Sequence, residues 1–151
     1  MKKSVIKIFS IILSVILFSS FLFQGDANAA KRKKKLSNDE LTQMVDTTNR
    51  LMKKVYSYSL FSPKDNEILI DLKIKLDDFL PMNTSNPDFP ALYYKVGYIY
   101  AQREYKDDAI DCFKTILENF PDSPYTAKAA YELKKMGVKV ENPAAGAASG
   151  K

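Results

Sequence analysis

The densest group of side chains able to do acid–base chemistry is Asp107, Asp108 and Asp111, three carboxylates within five residues. Carboxylate pairs can act as general acid and base. Their three- and four-residue spacing, however, is that of one helix face turned to water. The 151-residue chain has no histidine, so it lacks the commonest general base and metal ligand, and the usual partner of a Ser or Cys nucleophile. Cys112 is the single cysteine, which excludes an intramolecular disulfide and a cysteine-based metal site. It reads as a partly buried small hydrophobe, the alternative being an exposed thiol for intermolecular pairing. No catalytic residue, metal ligand or cofactor is assigned, and the chain is not expected to be an enzyme.

Composition is that of a globular protein, 46% hydrophobic and 27% charged. The net charge of +5 is unevenly placed. Lys2, Lys3, Lys7 and Asp26 give +2, and Lys31-Arg32-Lys33-Lys34-Lys35 gives +5, which leaves −2 for residues 36–151. A slightly acidic body is poor support for nucleic-acid binding. The N-terminal lysines, an apolar run from Ile8 to Phe23 and the small residues Ala27-Asn28-Ala29-Ala30 follow the plan of a secretory signal peptide over residues 1–30. Sixteen helical residues span about 24 Å, short of a bilayer's roughly 30 Å core. Cleavage near Ala29/Ala30 and a periplasmic or secreted location are therefore expected, the alternative being an uncleaved anchor. The basic cluster 31–35 reads as a solvated arm, or as a weak contact with an anionic membrane surface.

The rest of the chain predicts an all-α fold of about five helices. Ser37 and Glu40 form a capping box flanked by Leu36 and Leu41. Behind it, Leu41, Met44, Val45, Thr48, Leu51, Met52 and Val55 recur at helical spacing. Ser62-Pro63-Lys64-Asp65 starts a second helix, whose face is Leu69, Leu72, Leu76, Phe79 and Leu80. These two make a hairpin over residues 36–80. Residues 81–90 read as a loop, and Asn83-Thr84-Ser85 within it fits a glycosylation sequon that is more simply a polar turn. Helices are expected at about 90–103, 106–119 and 123–136, with Gly137 as the last C-terminal cap and a disordered tail over 138–151.

The specific part lies between Phe89 and Ser123. Tyr93, Val96, Gly97 and Tyr100 share one helix face, and Ala109, Phe113 and Ile116 share the next; Pro121 ends the pair. Gly97 and Ala109 are small where two backbones must come close. The pattern resembles a tetratricopeptide repeat, with Tyr93, Val96 and Ile116 standing where Trp, Leu and Ala are usual. The wording from Tyr105 to Tyr125 is similar to repeats of bacterial envelope proteins, among them Tol-Pal partners and an outer-membrane assembly lipoprotein. The resemblance covers residues 89–137, the last helix being a half repeat whose Lys128, Glu132, Lys134 and Lys135 supply a polar outer surface. Residues 37–80 have a hairpin's size without the signature.

The resemblance implies a short solenoid of antiparallel hairpins whose first helices line a concave groove. Tyr94, Tyr98 and Gln102 would face it from one helix, and Tyr125, Lys128 and Glu132 from the next. Tyrosines suit recognition, combining apolar area with a hydroxyl at low entropic cost. The simpler expectation is that Tyr94 or Tyr98 packs on the upstream hairpin. The function implied is an exported, non-enzymatic adaptor of the bacterial cell envelope, binding a protein or peptide of an envelope complex or a second copy of itself. The alternative is a membrane-tethered structural subunit.

Overall fold

The computed structural model describes residues 36–140, and these are all-helical. Five α-helices follow in order: α1 (Asn38–Tyr56), α2 (Pro63–Phe79), α3 (Asp88–Gln102), α4 (Lys106–Asn119) and α5 (Thr126–Lys135). A 3-10 turn covers Leu80–Met82, and there is no strand among the described residues. None of the described helices is long and apolar enough to cross a membrane. The signal-type segment, the cluster Lys31–Lys35 and residues 141–151 lie outside the described residues.

Local chemistry sets the helix ends. Ser37 Oγ accepts the Glu40 amide at 3.2 Å while Glu40 Oε2 accepts the Ser37 amide at 3.0 Å, which satisfies two orphan donors of α1. Ser62 and Asp65 repeat the device at α2, behind Pro63. Gly137 closes α5 at φ +81°, its amide bonded to Lys134 O and that of Val138 to Leu133 O, both at 2.9 Å. This is a Schellman end, and it needs the left-handed conformation that glycine adopts without strain. Two starts differ from the sequence reading. α3 begins at Asp88, because Asn86 Oδ1 accepts the Asp88 amide at 2.9 Å. α5 begins only at Thr126, because residues 123–125 are spent in a turn where Ser123 Oγ accepts the Tyr125 amide and Thr126 donates to Phe120 O. Val138 and Val140, read as tail, pack against the core.

The apolar faces close on one core. Hairpin α1/α2 covers α3 from one side and α4 covers it from the other, with α5 laid on α4. Phe89, Tyr93, Val96, Ala109, Phe113 and Ile116 are fully buried, and Tyr100 nearly so. Gly97 is the closest point of the α3/α4 seam: a Cβ there would lie 2.9 Å from Cys112 Cβ and 3.0 Å from Phe113 Cε1. From α1 the stripe sends in Met44, Thr48, Leu51 and Met52, while Leu41, Val45 and Val55 sit at its margin.

Candidate partner-binding face

Cross-helix contacts fix the register. Lys95 Nζ donates to Asn49 Oδ1 at 2.8 Å, and seven residues later on α1 the ring of Tyr56 meets that of Tyr98, centroids 6.1 Å apart. The order of these pairs makes α1 and α3 run the same way. α2 runs against α3, since Tyr93 donates to Asp77 at 2.9 Å and Tyr100 reaches back toward Leu69 O at 3.5 Å. α1 and α3 therefore stand side by side with α2 and α4 behind them.

On this arrangement the tyrosines line up. Tyr98 and Tyr94 are one turn apart on α3. Tyr94 meets Tyr125, at the head of α5, with centroids 5.5 Å apart, and rests on Phe113 at 5.7 Å. Lys128 Nζ lies 5.1 Å over the Tyr125 ring. The result is a row, Tyr56–Tyr98–Tyr94–Tyr125–Lys128, running from α1 across α3 to α5. Tyr94, Tyr98 and Tyr125 are half-buried and Tyr56 is 66% exposed. Burial, followed by the nearby Glu132, raises the Tyr94 hydroxyl above the ordinary tyrosine pKa. Tyr94 is thus a neutral donor within the row.

Of the six residues expected in the groove, four belong to this row: Tyr94, Tyr98, Tyr125 and Lys128. Gln102 is exposed as the last residue of α3. Glu132 requires a correction, because it is 8% exposed and is not part of the polar outer surface expected of α5. It sits beside Tyr94, with Lys135 at 3.7 Å. Lys128, Lys134 and Lys135 are exposed. Tyr56 was not anticipated; its only signal was its place one turn beyond Met52 on the stripe of α1. Tyr94 packs on Phe113 and Tyr125, and Tyr98 on Tyr56, so both rings are anchored while remaining only half-buried.

One other constellation has chemical character. Lys73 Nζ lies 2.6 Å from both Asp77 Oδ2 and Asp111 Oδ2, and Asp77 also accepts from Tyr93. Burial alone would lower the Lys73 ammonium's pKa, but the two carboxylates outweigh it and the net direction is upward. A lysine held so firmly protonated is neither base nor nucleophile; it clamps α2 to α4. Asp107 and Asp108 remain exposed in the first turn of α4, where the helix dipole favours them. Cys112 is fully buried, and burial pushes its thiol well above the ordinary range. An exposed pairing thiol is therefore excluded. The side chain of Asn83 donates to Phe79 O at 2.7 Å, as in a plain turn. Among the described residues no three acidic or Cys side chains are grouped to hold a metal ion. Comparison with protein-family models, with curated proteins and with solved structures gave no match.

Proposed function

We propose that the chain is a non-enzymatic adaptor that holds a protein or peptide partner on the tyrosine row of α1, α3 and α5, and that it works as an exported component of the bacterial cell envelope. The observation that carries the binding reading is the continuity of Tyr56, Tyr98, Tyr94 and Tyr125 across three helices. Such a row offers ring faces, hydroxyl donors and one terminal cation at little entropic cost, a combination enriched in recognition surfaces. The tetratricopeptide-like signature supports the same face, since the first helices of such repeats line the groove. The envelope setting rests on the signal-type N-terminus and on the likeness to envelope repeats.

The test is site-directed photocross-linking in intact cells, with a photoreactive residue at Tyr56 on the row or at Ile74 on the outer face of α2, where it is 53% exposed. One defined partner should be captured from Tyr56 and not from Ile74. Its capture should fall about tenfold in Tyr98→Ala/Lys128→Glu, a loss of roughly 1.4 kcal/mol. Capture from Ile74 alone, or capture indifferent to both substitutions, would place the binding surface elsewhere.

A further inference from the structure

The two most exposed large apolar side chains among the described residues stand together in the α1–α2 connection. Tyr58 is 96% exposed and Leu60 92%, with Tyr56 at 66% beside them. The segment is nonetheless tightly built. The Ser57 amide bonds to Lys53 O at 3.0 Å, that of Tyr58 to Val55 O at 3.1 Å and that of Ser59 to Lys54 O at 2.9 Å. The two serine hydroxyls meet at 2.6 Å. This is the same helix end that α5 makes with Gly137, except that the left-handed position, φ +52°, is filled by Tyr58. An L side chain is disfavoured there. A bulky ring held in that conformation and aimed at water makes no contribution to the fold that glycine could not improve on, which points to a role outside it.

The surroundings say what the ring meets. Residues 50–67 carry Arg50, Lys53, Lys54 and Lys64 against Asp65 and Glu67. Asp65 is already engaged by Lys54 and Arg50 at 2.6 and 3.3 Å. The α3–α4 turn lies against the same corner, since Arg103 Cζ is 4.3 Å over the Phe61 ring; it adds that cation and Glu104. The balance is basic. Three exposed side chains offer on the order of 500 Å², below the roughly 800 Å² per partner of a stable protein interface. A bilayer sets no such minimum. The amides of residues 57–59 are bonded within the segment, so these three can leave water without abandoning their hydrogen bonds.

We propose that this corner docks on an anionic lipid bilayer: Tyr58 and Leu60 enter the interfacial layer, where tyrosine is favoured, and the surrounding cations meet the headgroups. The corner adjoins the tyrosine row at Tyr56, but its docking does not depend on the row's binding role. The chain has no tryptophan, so a single tryptophan reports its own site. The full chain carrying Leu60→Trp is compared with Tyr131→Trp, a position on α5 that is 67% exposed. Vesicles are phosphatidylcholine alone, or with about one third phosphatidylglycerol to supply negative surface potential. On anionic vesicles the Leu60→Trp emission should shift to the blue and be quenched by brominated acyl chains, while Tyr131→Trp stays unchanged. Adding Lys53→Glu and Lys64→Glu should weaken the Leu60→Trp response about tenfold or more. The proposal is overturned by an absent shift at Leu60→Trp. It is equally overturned by equal shifts at both positions, which mark capture by another part of the chain, or by a shift that grows with protein concentration without lipid, which marks a second copy.

Discussion

Replacing Gly97 by alanine sets two effects of opposite sign against each other. Glycine inside a helix costs about 1 kcal/mol relative to alanine, so propensity alone predicts that Gly97→Ala stabilises α3 by about that amount. The seam predicts the reverse. The new methyl would lie 2.9 Å from Cys112 Cβ, 3.0 Å from Phe113 Cε1 and 3.2 Å from Phe113 Cζ, whereas apolar carbons rest at about 3.5–4.0 Å. Cys112 Cβ is fixed to the α4 backbone, and the Phe113 ring is fully buried with Tyr94 against it, so neither can simply swing away. The helices must therefore part by roughly half an ångström, which forfeits about a quarter of the dispersion energy of each contact across the seam. Overpacking of this kind costs about 1–3 kcal/mol. Set against the propensity gain, Gly97→Ala should destabilise the fold by about 1 kcal/mol and lower Tm by roughly 5 °C. Urea titration followed by far-ultraviolet circular dichroism gives the difference directly. A variant more stable than the parent would refute the close approach as the reason for glycine at this position.

Gly137→Ala should cost about 1 kcal/mol for a different reason: φ is +81° and nothing lies within 4 Å of the added methyl, so backbone strain alone acts, and calorimetry should give a loss. Tyr93→Phe deletes a donor to Asp77, and because that carboxylate is 46% exposed and can be rehydrated, the cost should be only about 1 kcal/mol in the same urea assay. Asp65→Asn tests the α1–α2 clamp through pH. Hydrogen bonds from Lys54 and Ser62 hold the Asp65 carboxyl far below its ordinary value of 3.8. Its folded-state pKa is depressed, so its contribution is complete above the ordinary carboxylate range and is lost as pH falls through it. The variant should unfold at lower urea than the parent near neutrality, and the gap should shrink on acidification below about pH 4. A gap that stays constant well below about pH 4 would mean that the ion pairs are not its source.

What the sequence makes legible here is whatever is decided within a turn or two of chain. The Ser37 box, the Ser62-Pro63 start and the Gly137 stop each involve partners no more than five residues apart, so residue type and spacing specify them almost completely. Helical spacing likewise puts Tyr94 and Tyr98 on one face of α3, and puts Gly97 on the face turned to α4. Local pattern fails where a residue's role depends on which helix lies over it. Asp65 reads as an ordinary capping residue, yet the chain folds Lys54 and Arg50 back over it and makes it the anchor of the hairpin. Glu132 carries the polar label of an end helix and is rightly set with Tyr94 by the groove pattern, but its burial follows from how α5 is laid on α4, which spacing within α5 does not announce. Lys73 and Asp111 stand 38 positions apart, so no window on the sequence pairs them. Tyr56 is the most instructive case. Its own helix marks it only as an aromatic at a C-terminal end; the row gains it because Asn49 and Lys95 fix α1 against α3 seven residues earlier. A binding face built from single side chains on three helices is thus readable helix by helix, but its continuity is a property of register, and register is decided by pairs such as Asn49–Lys95 that no periodicity announces.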